Sequence, residues 1–269
     1  MINNSWYWDY ANSPTFWEAD RRLDYIVRNN YDFVSVAAGN FGNGCGSNYS
    51  SYVVSPAKGY NVLSVGNHED LNNLNWTDDG MDLCSSFANP GSYTASPLRD
   101  KPEVSAIGAT LDSTLVTTIP PLVGNVGSGT SYASPMVAAL AADLIQADPD
   151  LATFPEALRA IIMASALQNV EGVAELSDKD GVGAVDFTAA LMIAERGDFS
   201  SHPVSSTDLY PLSFPVYAYQ GERVRYVITW LSNPNGAYTT DVLPADLDLY
   251  AYRADGVTLV DSSVSGTNN

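Results

Sequence analysis

The chain has 269 residues, 45% of them hydrophobic, which is enough for one large buried core or for a core with a small second domain. Its 31 acidic residues outnumber 12 lysines and arginines, and the formal charge of −19 argues against binding to nucleic acid or anionic membranes. Such acidity is typical of an exported, salt-adapted or calcium-binding protein. No signal-peptide pattern opens the sequence, and no apolar run approaches the ~20 residues of a membrane helix.

The first part of the chain alternates apolar runs with one amphipathic segment. Residues 2–6 are typical of a strand that enters a loop, and Ser13-Pro14 is typical of a helix start. Apolar residues at helical spacing extend this helix to Val27. The short runs 33–38 and 61–66 are typical of buried parallel strands. This order predicts an α/β fold, in which helices flank a parallel sheet with right-handed crossovers.

The middle of the chain continues the same pattern after a polar interruption. Residues 67–99 are polar and turn-prone, so short strands and loops are expected there. Another strand is predicted at 102–108, and an apolar helix is predicted to begin near residue 131. Capping-box spacing and apolar periodicity predict further helices at 157–167 and 185–194.

The composition changes again near the end of the chain. Residues 198–206 are rich in Ser, Pro and Asp and are predicted to be a linker that follows an α/β domain at 1–197. Beyond it, the segments 223–230 and 247–252 alternate as strands do. Residues 207–269 therefore predict an incomplete β-sandwich, with fewer strands than the ~7 of a typical one.

The cysteines and acidic residues suggest limited structural roles. Cys45 and Cys84 both lie in Gly/Ser/Asn-rich loops, which permits one disulfide or two buried thiols; in an exported protein we favour the disulfide. A zinc site is not expected, because no histidine lies near them. Calcium is possible chemically through carboxylate oxygens, although the turn at 178–181 is too short for a full calcium loop. The candidate carboxylates are Asp178, Asp180, Asp246, Asp248 and Asp255.

A serine at the start of an apolar helix is the strongest chemical signal. Small residues precede Ser131 and an Ala/Val/Leu run follows it, so its hydroxyl lies near the free N–H groups and positive dipole end of the helix. From position alone, Thr130 or Ser131 is more often a helix cap. The string G-T-S-Y-A-S-P-M-V-A, however, resembles the nucleophile motif of the subtilisin family of serine endopeptidases. The resemblance implies that Ser131 is the nucleophile.

A second segment fits the same chemistry. Asn40 ends the string V-A-A-G-N at the carboxyl end of a predicted parallel strand, where open α/β sheets bind ligands. Gly-Asn by itself is most often a turn. The segment also resembles the oxyanion-hole region of the subtilisin family, which implies that Asn40 and the N–H of Ser131 stabilise an oxyanion.

The resemblance also implies two cleft walls. In the family, the segment at Ser5 pairs with the peptide as an extended strand and usually carries glycine where Tyr7 and Trp8 stand here. These aromatic residues narrow the cleft, form an aromatic subsite, or cover an exposed edge; the sequence does not separate the three. The residues to which the resemblance gives substrate-binding roles are Ser5, Trp6, Tyr7, Ala37, Ala38, Gly39 and Thr130.

The general base and its orienting acid have no candidates in the family's motifs. Only two histidines occur, and neither lies in an H-G-T motif, while the family's D-T-G or D-S-G motif is absent. His68 is predicted to be a loop or surface histidine, and His202 lies in the predicted linker. Residues 1–6 resemble a strand that follows both missing residues in the family. We therefore expect the second half of a catalytic domain, with the N-terminal part missing, plus the start of an accessory β domain.

The expected function is that of a secreted or extracellular serine endopeptidase that cleaves polypeptides through an acyl-enzyme. No nucleic acid or membrane partner and no certain cofactor are expected. The Asp and His would come from the upstream part of the same domain, so the chain as given is expected to be inactive alone. The alternative is a catalytically inactive subtilisin-like module that binds peptides or has a structural role.

Overall fold

A computed structural model describes residues 1–8, 13–43, 45–46, 50–73, 75–88, 100–167, 179–205, 211–219 and 221–264. The helices are α1 (Glu18–Asn30), α2 (Thr130–Ala147), α3 (Pro155–Ser165) and α4 (Phe187–Arg196). The strands are β1 (Ile2–Asn4), β2 (Val34–Ala37), β3 (Leu63–Glu69), β4 (Gly80–Met81), β5 (Val104–Ile107), β6 (Leu111–Thr114), β7 (Val123–Gly127), β8 (Leu249–Tyr252) and β9 (Leu259–Ser263). A bilayer-spanning helix, long and apolar enough, does not occur among the described residues.

The main sheet is parallel, as the alternation of strands and helices predicts. β2 pairs in parallel with both β1 and β3, and β5 pairs in parallel with β3. The short strand β4 is antiparallel and pairs with the last two residues of β3. Within the described part of the chain, no strand pairs with the outer edge of β1.

Helices cover both faces of this sheet. Leu63 and Val65 of β3 belong to a core cluster that includes the apolar residues of α2, α3 and α4. Val34 and Val36 of β2 belong to a second cluster, which includes Val27 of α1. Because neighbouring residues of a strand point to opposite faces, these short apolar strands fill both cores at once. The result is a helix–sheet–helix α/β fold.

Helix α1 starts four residues later than Ser13-Pro14 predicts. It begins at Glu18, where the carboxylate of Asp20 accepts a hydrogen bond from the N–H of Trp17 at 2.7 Å. An acidic side chain in the first turn satisfies one of the free N–H groups of the helix and favours this start. Burial raises the pKa of Asp20 to about 6, although Ser55 and Lys58 oppose that shift.

The C-terminal part docks on the α/β core through its first half. The predicted strand at 223–230 is not a strand in the structure; it is held instead by side-chain contacts to the core. Arg225 donates to the carbonyls of Met163 and Ala166, both at 2.8 Å, and Thr229 donates to the carbonyl of Glu156 at 2.6 Å. β8 and β9 form a two-stranded antiparallel sheet. The β-sandwich and the domain boundaries stay predictions.

Candidate active site

Ser131 is the second residue of α2, and its N–H therefore has no acceptor within the helix. Its carbonyl would normally accept from the residue four positions later, but that residue is Pro135, which has no N–H. The hydroxyl of Ser5 donates to this carbonyl at 3.0 Å instead. Pro135 thus leaves the carbonyl of Ser131 without a helical donor, and the hydroxyl of Ser5, just after β1, donates to it instead.

A second contact makes the link between Ser131 and Ser5 reciprocal. The hydroxyl of Ser131 donates to the carbonyl of Ser5 at 3.3 Å. One turn later, Ser134 donates to the side chain of Asn3 at 2.8 Å, and its carbonyl accepts from Ser35 at 3.1 Å. The first turn of α2 is therefore fixed to β1 and β2, as well as to the segment that the sequence predicts to be a cleft wall.

Asn40 is oriented by Thr130, the residue that precedes Ser131. Its Oδ1 accepts from the N–H of Thr130 at 2.9 Å and from the hydroxyl of Thr130 at 3.0 Å. The same hydroxyl oxygen accepts from the N–H of Gly39 at 3.2 Å. Gly39 has φ of +113°, a conformation that side chains disfavour. The structure thus brings Gly39, Asn40, Thr130 and Ser131 together.

This arrangement fixes which way the Asn40 amide faces. With Oδ1 turned to Thr130, the Nδ2 group is the end that remains, and no described residue accepts a hydrogen bond from it. The nearest atom to a side chain built on Gly129 would be this Nδ2, at 3.3 Å. A glycine at position 129 therefore leaves room around the Asn40 amide donor.

Of the two predicted walls, the first is the segment that begins at Ser5 and the second is Ala37, Ala38 and Gly39, and they differ in how much surface they offer. Trp6 and Tyr7 are exposed, whereas the side chains of Ala37 and Ala38 are buried in the sheet. The accessible part of the second wall is therefore its end, at Asn40 and the residues after it. Phe41 follows directly, and its ring contacts that of Tyr7 edge-on, with centroids 5.3 Å apart. Composition and spacing give no signal for this contact.

A disulfide tethers the loop that follows the second wall. Cys45 and Cys84 are bonded, the pairing that the sequence favours for an exported protein. The N–H of Gly42 donates to the carbonyl of Cys84 at 2.8 Å. Close by, the N–H of Ser86 donates to the carbonyl of Gly39 at 2.9 Å, and its hydroxyl accepts from Phe41 at 3.1 Å. The loop after Asn40 is thus tied to the loop that follows β4.

The prediction that His68 is a loop or surface histidine is wrong. β3 continues through His68 to Glu69, so the side chain is only 3% exposed, and its Nδ1 lies 3.1 Å from the hydroxyl of Ser105. Burial lowers its pKa to about 4, outweighing the opposing effect of Asp70. His68 is therefore a neutral core residue. His202 is exposed, with its Nε2 3.2 Å from Ser200 and its ring beside Phe214.

The acidic residues considered for calcium are dispersed or engaged locally. Asp178 lies outside the described residues, and Asp180 is buried. Asp255 accepts from the N–H groups of Val257 and Thr258, as a turn residue does. No group of three or more His, Cys, Asp or Glu side chains comes together within the described ranges.

The sequence of residues 1–186 matches the model of the subtilase family, Peptidase_S8. Similar solved structures include the self-cleaved protease domain of PatA (21% identity, TM-score 0.46) and the patellamide maturation protease PatA (19%, 0.47). A third is the prenylagaramide maturation protease PagA (20%, 0.45).

The alignments cover 71%, 71% and 64% of this chain, and 59%, 60% and 54% of those chains, respectively. The chain thus spans less than two thirds of the length of each. No curated protein matches the sequence. Because the family model covers more than half of the chain and includes Ser131 and Asn40, the chain belongs to the subtilase family of serine peptidases.

Proposed function

We propose that this chain carries the nucleophile and the oxyanion site of a serine endopeptidase that cleaves polypeptides through an acyl-enzyme. The observation that carries the proposal is the orientation of Asn40, whose Oδ1 is held by both donors of Thr130. That orientation turns the Asn40 amide donor away from Thr130, the residue that precedes Ser131, and leaves it available to a substrate oxygen. Two donors next to a serine hydroxyl are what stabilisation of an acyl-transfer oxyanion requires.

The proposed reaction uses these groups in order. The oxygen of Ser131 attacks the peptide carbonyl carbon while its proton passes to a base, and the carbonyl oxygen becomes an oxyanion. The N–H of Ser131 and the Nδ2 of Asn40 donate to that oxygen. The tetrahedral intermediate collapses as the amine leaves with the proton from the base, and water then hydrolyses the ester by the reverse sequence.

We propose that the base and its orienting acid come from polypeptide outside these 269 residues. His68 is buried and bonded to Ser105, and His202 lies with Ser200, so neither contacts Ser131. Among the described residues no strand pairs with the outer edge of β1, and further strands could add there. Secretion is part of this proposal, because the Cys45–Cys84 disulfide is stable in oxidising compartments.

A second candidate function is an inactive module that binds peptides. It is favoured by the hydroxyl of Ser131, which donates to the carbonyl of Ser5 and has no contact to a described histidine. Such a module would keep the cleft without its chemistry, and it would have no need of an oriented Asn40.

The test is labelling of Ser131 with a fluorophosphonate, applied to residues 1–269 and to the protein from its complete reading frame. We expect rapid stoichiometric labelling and peptide hydrolysis only in the complete protein, with Ser131→Ala as the blank. Asn40→Ala should lower kcat by about 10²–10³-fold, as loss of one oxyanion donor does. Asn29→Ala, at the exposed end of α1, is the matched control. A complete protein that binds peptides but is not labelled would establish the inactive module.

A further inference from the structure

We propose that this peptidase accepts only small side chains, those of Gly, Ala or Ser, on the residue whose carbonyl Ser131 attacks. The inference rests on the proposed function and defines its substrate class. Its basis is the contact between the Tyr7 and Phe41 rings, which joins the two walls that flank Ser131.

The ring contact closes the gap beside the nucleophile. Ser5 is bonded to Ser131 on one side, and Asn40 is bonded to Thr130 on the other, so a carbonyl held by Ser131 and Asn40 lies between these segments. Tyr7 follows Ser5 by two residues and Phe41 follows Asn40 by one. Their T-shaped packing, at an interplanar angle of 89°, fills the space that a large substrate side chain would need.

Behind the second wall, described residues occupy the space next to Gly39. Both methyl groups of Val54 and the hydroxyl of Ser86 crowd Gly39, to the extent that a Cβ on this glycine would lie 2.9 Å from the methyl carbons and 3.0 Å from the hydroxyl oxygen. Val54 is itself buried, and its N–H donates to the carbonyl of Ala38 at 2.9 Å. A substrate side chain therefore cannot gain depth by passing beneath Gly39.

Neither wall is free to move back as a unit. The N–H of Trp8 donates to the carbonyl of Ser55 at 2.9 Å, and the hydroxyl of Ser55 donates to the buried carboxylate of Asp20 at 2.7 Å. On the other side, Phe41 is bonded through its N–H to Ser86, which is part of the disulfide-tied loop. A bulky side chain would have to separate the rings without help from backbone motion.

The test compares peptides that differ only at the residue preceding the cleaved bond, using the protein from its complete reading frame. We expect kcat/KM for Ala to exceed that for Phe by on the order of tenfold or more, within the range that pocket fit supplies. In the double variant Tyr7→Gly/Phe41→Ala, the Phe-to-Ala ratio of kcat/KM should rise at least about tenfold. Tyr217→Ala, which removes an exposed ring outside both walls, is the matched control and should leave that ratio unchanged.

A binding measurement separates this inference from the proposed function. Peptide boronic acids with the Ala or Phe side chain next to boron form a B–O bond to Ser131, whose proton passes to solvent, and this adduct requires no histidine. Tighter binding of the Ala compound supports the inference even if no peptide is hydrolysed, in which case only the proposed function fails. Tighter binding of the Phe compound, no binding of either, or an unchanged ratio in the double variant overturns it.

Discussion

The hydroxyl of Thr130 makes two hydrogen bonds in the candidate site. It donates to Asn40 and accepts from the N–H of Gly39, and its side chain is fully buried. Thr130→Val keeps the shape but leaves the Gly39 donor unsatisfied, so we expect a loss of about 1–3 kcal/mol in the free energy of unfolding. Thr130→Ser keeps the hydroxyl and should lose less. Chemical denaturation of both variants measures the difference, and equal losses would mean that the hydroxyl contributes nothing.

His68 should make the protein sensitive to acid. Its pKa is about 4 in the folded protein and near 6.5 when unfolded, so between these values only the unfolded chain takes up the proton. The stability contributed by the neutral form is therefore present above pH 6.5 and is lost as pH falls through 6.5 toward 4. The full effect is about 3 kcal/mol.

The free energy of unfolding of the wild type, minus that of His68→Gln, should fall by about 3 kcal/mol from pH 7 to pH 4. Asp20 has the opposite dependence, because its raised pKa makes the folded protein more stable as pH falls through about 6. That contribution is common to both proteins and cancels in the comparison. A difference that is the same at every pH would contradict the burial of a neutral imidazole.

Helix α1 carries a carboxylate, that of Asp24, which anchors the loop before β3. Asp24 is buried and accepts from the N–H groups of Tyr60 and Asn61 at 2.8 and 2.7 Å. Asp24→Asn places an amide against one of these donors and should cost about 1–3 kcal/mol. Glu18→Gln on the same helix breaks only an exposed pair with Arg22 and should cost less than about 1 kcal/mol. Thermal unfolding compares the two, and equal losses would contradict an anchoring role.

The buried strands and long helices could be predicted because they have simple sequence patterns. The run 33–38 contains β2, and the predicted helix at 157–167 overlaps α3. The G-T-S and A-A-G-N segments locate the candidate site for the same reason, since each combines a local conformation with its chemistry. The structure places Ser131 at a helix start and Asn40 beyond the end of β2, as the motifs predict.

The elements that the sequence does not predict depend on distant partners. Residues 223–230 alternate like a strand, but contacts such as that of Arg225 with the end of α3 replace a ladder. His68 is polar, yet pairing of β3 with both β4 and β5 extends the strand over it. The contact of Phe41 with Tyr7 joins segments that are far apart in sequence. Local propensity contains none of this information.

The C-terminal segment that docks on the core should contribute to the free energy of unfolding of the whole molecule. Leu231 is 5% exposed and belongs to the core cluster of α1 and β2, and Ser232 beside it is bonded to Asn61 at 2.7 Å. Leu231→Ala should cost about 2–5 kcal/mol, as loss of a buried leucine does. Leu212→Ala, at an exposed position, should change the free energy of unfolding by less than about 0.5 kcal/mol. Similar values for both would show that the segment does not contribute to the core.

The contacts that hold Ser131 join distant parts of the chain. Ser5 and Ser131 are 126 residues apart, Asn40 and Thr130 are 90 apart, and Asn3 and Ser134 are 131 apart. Contacts of such long range form late and slowly in folding. During synthesis the segments that contain Ser5 and Asn40 emerge before Ser131, and these contacts require α2 to pack on the sheet. The candidate site can therefore form only after the chain has been synthesised through Ser134 and α2 has packed on the sheet.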